Sequence, residues 1–564
     1  MHSSKPERYV FLGNLTSAIA ILRWLPGYDR AWLRPDLVAG ITLAAYAVPV
    51  SLAYATLAGL PPQAGLYCYL AGGIAYALFG TSNQVAVGPT SAISILIGSA
   101  IGAMAAGDAA HQWQLAMFAA ILAGVIGVIA WLLKLGGIVS FVSETILSGF
   151  KVGAGLVIAT TQFPKLFGIS SGGSNFFTRI IELVRHLGDV NTPSLAVGLG
   201  CLALLILGER YLPGRPVALG VVVLSIAVMA LAPLETLGVK TVGAIPSGLP
   251  LPGWPDVRLK DTDGLLGLAL ACFLLSYIES ISVARTFGLK HRYPVDPNQE
   301  LLAVGISNFA AGVASGYPLA GGMSQSAVNE KAGARTPLAL VFASGAIGVV
   351  LLFLTGMMSN LPQPVLAAVV LMAVKDLIRL KELRHYQRFS RLEFNVAIAA
   401  VIGVLLFGIL MGILLAAIFS LLLLLKQASR PRITVLGRFP GTDRFGEISR
   451  YPEAEQVPGV LALRVESAFL YFNTQNILEE IVRLAGEQQP PVTRVVIDLS
   501  TSPNFDLAGV RMLNELRERL SDSKIALCLA EMHGTVRDLL EAEGHFHLLE
   551  NVGRRVGIAE CIDT

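Results

Sequence analysis

Apolar windows long enough to enter a bilayer recur along the first three quarters of the chain, separated by charged or Pro/Gly-containing connections. They fall near 36–57, 64–80, 84–104, 114–134, 138–160, 193–209 and 215–232. After a polar, Pro-rich stretch from about 234 to 263 a second set follows, near 264–288, 299–316, 317–331, 336–357, 364–378, 393–409 and 410–427. A helix needs about 20 apolar residues to cross the hydrocarbon core. The count of about fourteen therefore predicts an α-helical polytopic membrane protein with several short spans, and an even count puts both termini on one side. From Arg430 the period changes. Residues 460–465 and 494–499 read as strands, and 474–484, 506–520 and 535–543 as helices with plausible caps. Three regions are expected: a cytoplasmic segment 1–35, a transmembrane domain 36–428 and a soluble α/β domain 429–564.

Two of the apolar windows are interrupted by small and hydroxyl residues: Gly88-Pro89-Thr90-Ser91 in the third, and Gly321-Gly322-Met323-Ser324-Gln325-Ser326 in the tenth. Split seven and seven, the spans place these breaks at the same ordinal position with opposite direction across the membrane, the signature of an inverted repeat. Gln84 to Val87 is expected to be extended, with Pro89 starting a helix. Tyr317 to Ala320 is expected to be extended ahead of Met323. Unwound backbone at membrane depth is tolerated only where protein or a water-filled cavity satisfies it. A helix start there offers unpaired N–H groups and roughly half a positive charge. Thr90, Ser91, Met323, Ser324 and Gln325 are accordingly the candidate anion-binding residues. Small residues also permit close helix packing, which would explain one break. Two breaks at matched positions, each with hydroxyls in the first helical turn, favour a binding site.

Hydrophobic residues make up 54% of the 564 and charged residues 14%, with a mean hydropathy of +0.64. Soluble domains carry roughly a quarter charged residues. The net charge of +3 is too small to suggest nucleic-acid binding. The basic residues instead gather in connections, Lys375, Arg379, Lys381, Arg384, Arg388 and Arg391 in one, and Lys290 with Arg292, Lys331 with Arg335 and Arg210 with Arg215 in three more. These are expected to face the cytoplasm of an inner (plasma) membrane. The connection 162–192, with an interfacial helix near 176–187, is then outside. The five cysteines, Cys68, Cys201, Cys272, Cys528 and Cys561, are odd in number and widely spaced, which predicts neither a disulfide framework nor a metal. His545-Phe546-His547 lacks further ligands, no P-loop or nucleophile–base pair occurs, and the N-terminus shows no signal-peptide cleavage site. No enzyme, cofactor or metal is expected.

Glu279 lies inside the apolar run Leu274 to Ser282, and an intramembrane carboxylate is a functional candidate by default. The alternatives are a structural pair with Arg285, or hydrogen bonds from Ser280 or Ser282. Glu144 and Lys151, seven residues apart on one helix face, read as a structural pair or a contact between domains, with a transport role second. Tyr54 and Tyr67 are read as cavity-lining or packing aromatics.

Val48-Pro49-Val50-Ser51-Leu52-Ala53-Tyr54-Ala55, continuing through Ala58-Gly59-Leu60-Pro61-Pro62-Gln63-Ala64-Gly65-Leu66-Tyr67, resembles the opening signature of the sulfate permease (SulP) anion transporters. So do Gly80-Thr81-Ser82-Asn83, Ala86-Val87-Gly88-Pro89, Ser324-Gln325-Ser326-Ala327-Val328-Asn329 and Gly333-Ala334-Arg335-Thr336, in that order along the chain. The resemblance implies a seven-plus-seven inverted repeat of core and gate domains followed by a cytoplasmic STAS domain. It also implies transport of a small inorganic or carboxylate anion of the sulfate, bicarbonate or dicarboxylate class. Prokaryotic members place an acidic residue where Glu279 stands, for Na⁺ or H⁺, so symport by alternating access is expected. The implied partners are the anion, the bilayer, a second copy of the chain and a cytoplasmic protein at the STAS domain. Three positions depart from the pattern: Val50 for Gln, Asn83 for a basic residue and Gln325 for the Arg of many animal members. Without that Arg, the positive charge opposite the anion must come from elsewhere. An uncoupled exchanger or channel, or a membrane-anchored STAS scaffold, are the competing readings. Asp498-Leu499-Ser500 with Asp506-Leu507-Ala508-Gly509 resembles the STAS phosphorylation loop, but Leu507 and Ala508 replace its Ser.

Overall fold

The computed structural model describes residues 19–105, 107–137, 144–169, 175–212, 217–232, 234–243, 245–257, 262–378, 380–545 and 556–563. The chain forms two compact units that divide between Ser420 and Leu421.

The first unit is helical. Its principal elements are α1 (Leu33–Leu57), α2 (Gln63–Phe79), β1 (Val87–Gly88), α3 (Ser91–Met104), α4 (Ala109–Leu132), α5 (Glu144–Phe167), α6 (Phe176–Arg185), α7 (Thr192–Tyr211) and α8 (Val217–Leu231). They continue with α9 (Thr262–His291), α10 (Pro297–Val313), β2 (Ala320–Gly321), α11 (Met323–Lys331), α12 (Leu338–Phe353), α13 (Gln363–Leu377), α14 (Leu380–Phe389) and α15 (Arg391–Ser429). Among the described residues, Arg30–Leu57, Ala109–Leu132, Thr192–Tyr211, Gly264–His291 and Arg391–Gly408 are long and apolar enough to cross a membrane. The shorter apolar helices include Ser91–Gly102 and Leu338–Phe353. Within α15 the last two apolar windows, 393–409 and 410–427, are two helices that meet at a kink at Gly408, whose φ of 81° glycine adopts without a Cβ penalty.

Each helix buries the side that meets its neighbours. Ala, Leu and Val dominate one contiguous core, with Tyr76, Tyr277 and Tyr317 fully enclosed. The connection read as interfacial is indeed helical: Asn175 and Thr178 form a reciprocal cap at the start of α6. Phe177, Ile181 and Val184 form an exposed apolar stripe along it.

The second unit carries a five-stranded sheet, β3 (Ile433–Arg438), β4 (Phe445–Glu447), β5 (Val460–Val465), β6 (Arg494–Asp498) and β7 (Ala526–Ala530), in the order β4-β3-β5-β6-β7. The β5, β6 and β7 pairings are parallel, and those of β3 with β4 and β5 antiparallel. Helices α16 (Thr474–Gly486), α17 (Leu507–Asp522) and α18 (Gly534–Ala542) cover an apolar core of Leu463, Ile477, Ile497 and Leu513. The expectation that no disulfide forms is overturned here. Cys528 on β7 is bonded to Cys561 on the terminal helix Ile558–Asp563. Spacing hid the pair, because 33 residues separate two positions that become neighbours only when the terminal helix packs on β6 and β7. Cys68, Cys201 and Cys272 are free and buried. Phe546 and His547 of the His545-Phe546-His547 triplet lie outside the described residues.

Candidate anion site

The two interrupted windows meet. Val87 pairs with Gly321 and Gly88 with Ala320 as a short antiparallel ribbon, although the segments are more than two hundred residues apart. Both half-helices start within three residues of this crossing, α3 at Ser91 and α11 at Met323. The expectation that Pro89 opens the first of them is corrected by two residues. Ribbon pairing holds the backbone extended through Thr90, the N-cap, at φ −120° and ψ 153°. Neither N-cap, Thr90 or Gly322, uses a side chain to satisfy its helix start. The first-turn N–H groups of both helices are left for a ligand or solvent.

The crossing is built for contact. A Cβ on Gly88 would lie 2.3 Å from the Tyr69 ring, and one on Gly321 would lie 2.8 Å from Val85 Cγ1. The Gly321 amide donates to Ser280 Oγ at 2.7 Å, and that hydroxyl donates to the Ser276 carbonyl at 2.6 Å. The Ala86 amide donates to Ser326 Oγ at 2.9 Å. Gln325 holds the two strands together: its Nε2 donates to the carbonyls of Ala86 and Ala320, each at 3.0 Å, and its Oε1 accepts from the Tyr69 hydroxyl. Its amide is thus committed within the protein, and what it offers a ligand is its backbone N–H. Ser324 is exposed, Met323 partly buried, and Ser91 and Thr90 buried. Thr90 Oγ1 is enclosed, and the polar group it faces is the Glu279 carboxylate.

Glu279 faces Thr90 from α9, partly buried. Neither structural alternative for it holds. Ser280 is bonded elsewhere, and Ser282 and Arg285 are exposed. The charged neighbour is Lys151 of α5, in electrostatic range of the carboxylate. Glu144, which spacing alone pairs with Lys151, has its side chain outside the described residues. Tyr54 and Tyr67 are both 7% exposed, which makes them largely packing residues.

Further polar clamps escaped the sequence reading. Asp36 of α1 accepts from the amides of Arg335 and Thr336 at 2.7 and 3.1 Å and from the Thr336 hydroxyl at 2.7 Å. Glu300 accepts from Tyr76 at 2.8 Å and from the Thr81 amide and hydroxyl at 2.8 and 2.6 Å. Gln84 accepts from Tyr293 at 2.7 Å, and its carbonyl accepts from Asn329 at 3.1 Å. These buried groups brace the segments that run into the crossing. A charged or amide residue at a helix start or loop is their sequence-level signal, but nothing local names the partner.

The chain matches the family model described as the sulfate permease family over residues 33–400 and the STAS domain model over 451–559. It belongs to the sulfate permease family. A probable sulfate transporter of Mycobacterium tuberculosis is 33% identical over 94% of this chain and 95% of its own length. High affinity sulfate transporter 1 of Stylosanthes hamata is 30% identical over 96% of this chain and 85% of its own. The murine solute carrier 26 family member A9 anion transporter, solved in an inward-facing state, superposes with a TM-score of 0.88 at 23% identity, covering 100% of this chain and 95% of that one. The transmembrane domain of a cyanobacterial bicarbonate transporter gives 0.61 at 23% identity, over 70% of this chain and 98% of its own. The fold of this sulfate permease family member is therefore the transporter fold of those structures with a C-terminal STAS domain, and the family is one of membrane transporters.

In the permease's STAS domain, Asp506 caps α17 through the Gly509 amide at 2.9 Å and also accepts from the Tyr471 amide at 2.7 Å. Beside it a cleft of about 510 Å³ is lined by Tyr471, Thr474, Gln475, Asp506, Arg511 and Glu515. Leu507 and Ala508 provide no hydroxyl there.

Proposed function

We propose that the protein is a secondary active transporter that imports a small oxyanion together with H⁺ or Na⁺ by alternating access. The anion is held between the starts of α3 and α11, at Thr90 and Ser91 on one side and Met323, Ser324 and the Gln325 amide on the other. Glu279 takes up the co-transported cation. One observation carries this reading. Two helix starts without side-chain caps are brought together by the β1–β2 ribbon, and the buried Thr90 hydroxyl beside them faces a carboxylate. Helix N-termini stabilise anions by N–H donation and by the helix dipole. A carboxylate at such a place calls for a counter-charge once an anion arrives. Within the class of sulfate, bicarbonate and C4-dicarboxylates, sulfate has the first claim, because the relatives at 30% identity and above are named as sulfate transporters. A homodimer in the plasma membrane, with both termini and the STAS domain in the cytoplasm and a protein partner at the Tyr471–Arg511 cleft, completes the proposal.

Radiolabelled sulfate uptake into proteoliposomes tests it. Uptake is expected to be accelerated by an inward cation gradient and to lose that acceleration in Glu279→Gln. Equal rates for the two proteins with and without a gradient would refute coupling through Glu279.

A further inference from the structure

The fixed positive charge of the site is missing from the place where the family resemblance puts it, since position 325 is Gln and its amide is occupied by the ribbon. A second helix supplies one. Gly149 and Gly153 of α5 back onto α15: a Cβ at 149 would stand 2.2 Å from the Ala397 carbonyl oxygen, and one at 153 would stand 2.9 Å from Val404 Cβ. Contacts that close fix the rotation of α5. Lys151 lies on the opposite face, in line with the fully buried Ala154 and Ile158. Ser148, one turn earlier, is pinned by donating to Glu382 Oε2 at 2.7 Å. The same helix packs against α3, and Lys151 on its inward face stands in electrostatic range of the Glu279 carboxylate. Among the described residues Lys151 makes no hydrogen bond or close ion pair of its own, which leaves its three N–H donors for a ligand.

We propose that Lys151 is the fixed cation of the anion site, and that its presence makes a proton, rather than a metal cation, the ion that neutralises Glu279 when the anion is bound. The inference rests on the anion-site reading above and deepens it. With the site empty, the ammonium and the carboxylate balance each other. An arriving oxyanion draws the ammonium to itself and leaves the Glu279 carboxylate uncompensated beside a second negative charge. One proton taken from the outer solution onto a Glu279 oxygen restores the balance, and the same proton leaves with the anion on the inner side. A sodium ion would need several oxygen ligands and would stand beside the ammonium with like charge. A proton needs one carboxylate oxygen and adds no exposed cation. The two helix starts, each worth roughly half a positive charge, offset the second charge of a divalent anion such as sulfate.

The test is sulfate uptake by proteoliposomes containing the unmodified protein, Lys151→Met, Lys151→Arg and Glu279→Gln, under an inward proton gradient or an inward sodium gradient at equal pH. Folding of each variant is followed by its melting temperature in detergent. The unmodified protein should respond to the proton gradient and not to sodium. Lys151→Met should keep the melting temperature while raising the half-saturating sulfate concentration about tenfold or more, and Lys151→Arg should restore it. A folded Lys151→Met protein with unchanged sulfate affinity, or sodium-driven uptake by the unmodified protein, would overturn the proposal and leave the transport reading standing. Failure of the unmodified protein to take up sulfate, bicarbonate or a C4-dicarboxylate would overturn both.

Discussion

Gln325 and Thr90 show how two polar residues at one crossing carry different duties. Gln325 was legible as a departure from the family pattern, but its work was not. Its partners Tyr69 and Ala86 lie 256 and 239 positions away along the chain. Replacing it by Ala strands the Tyr69 hydroxyl and two ribbon carbonyls, and should cost about 1–3 kcal/mol of stability, read as a lower melting temperature in detergent. Thr90 is the converse case. Its hydroxyl is enclosed with the Glu279 carboxylate as the polar group it faces, so Thr90→Val, nearly the same shape, should change the melting temperature little while weakening anion affinity about tenfold, by about 1.4 kcal/mol. A transport assay beside a melting curve separates the two. Asp36 fills an anchoring role that no local signal revealed. Asp36→Ala leaves the amides of Arg335 and Thr336 without their acceptor and should destabilise the first unit by about 3 kcal/mol.

The half-helices were readable because breaking a membrane helix demands a recognisable vocabulary of Gly, Pro and hydroxyl residues. The start of α11 at Met323 was readable, but that of α3 only to within two residues, because an element's first residue depends on what pairs with the strand before it. The ribbon has no room for a side chain at Gly88, where a Cβ would come within 2.3 Å of the Tyr69 ring. Gly88→Val is expected to prevent folding, seen as loss of a monodisperse peak on gel filtration. The cap of α17 belongs to ordinary helix chemistry. Asp506→Ala removes an acceptor from the Gly509 and Tyr471 amides and should lower STAS-domain stability by about 1 kcal/mol.

Two units with separate cores give the molecule its organisation, one apolar and helical, one an α/β sheet domain closed by the Cys528–Cys561 bond. The segment 429–564 expressed alone should fold and melt in one cooperative transition, and reduction of its disulfide should lower that melting point, since closing a loop of 33 residues is worth about 3–4 kcal/mol. Composition and periodicity were enough for the membrane character, the two-part layout, the fold class and the places where helices break. These are properties of short windows, whose transfer and propensity free energies add up locally whatever the rest of the chain does. Only the tertiary structure could assign partners: Gln325 to the ribbon, Lys151 to the neighbourhood of Glu279, and Cys528 to Cys561. Which faces meet is decided by packing among distant segments, and a Gly149–Gly153 face seated on α15 turns Lys151 inward for reasons that no single window of sequence contains.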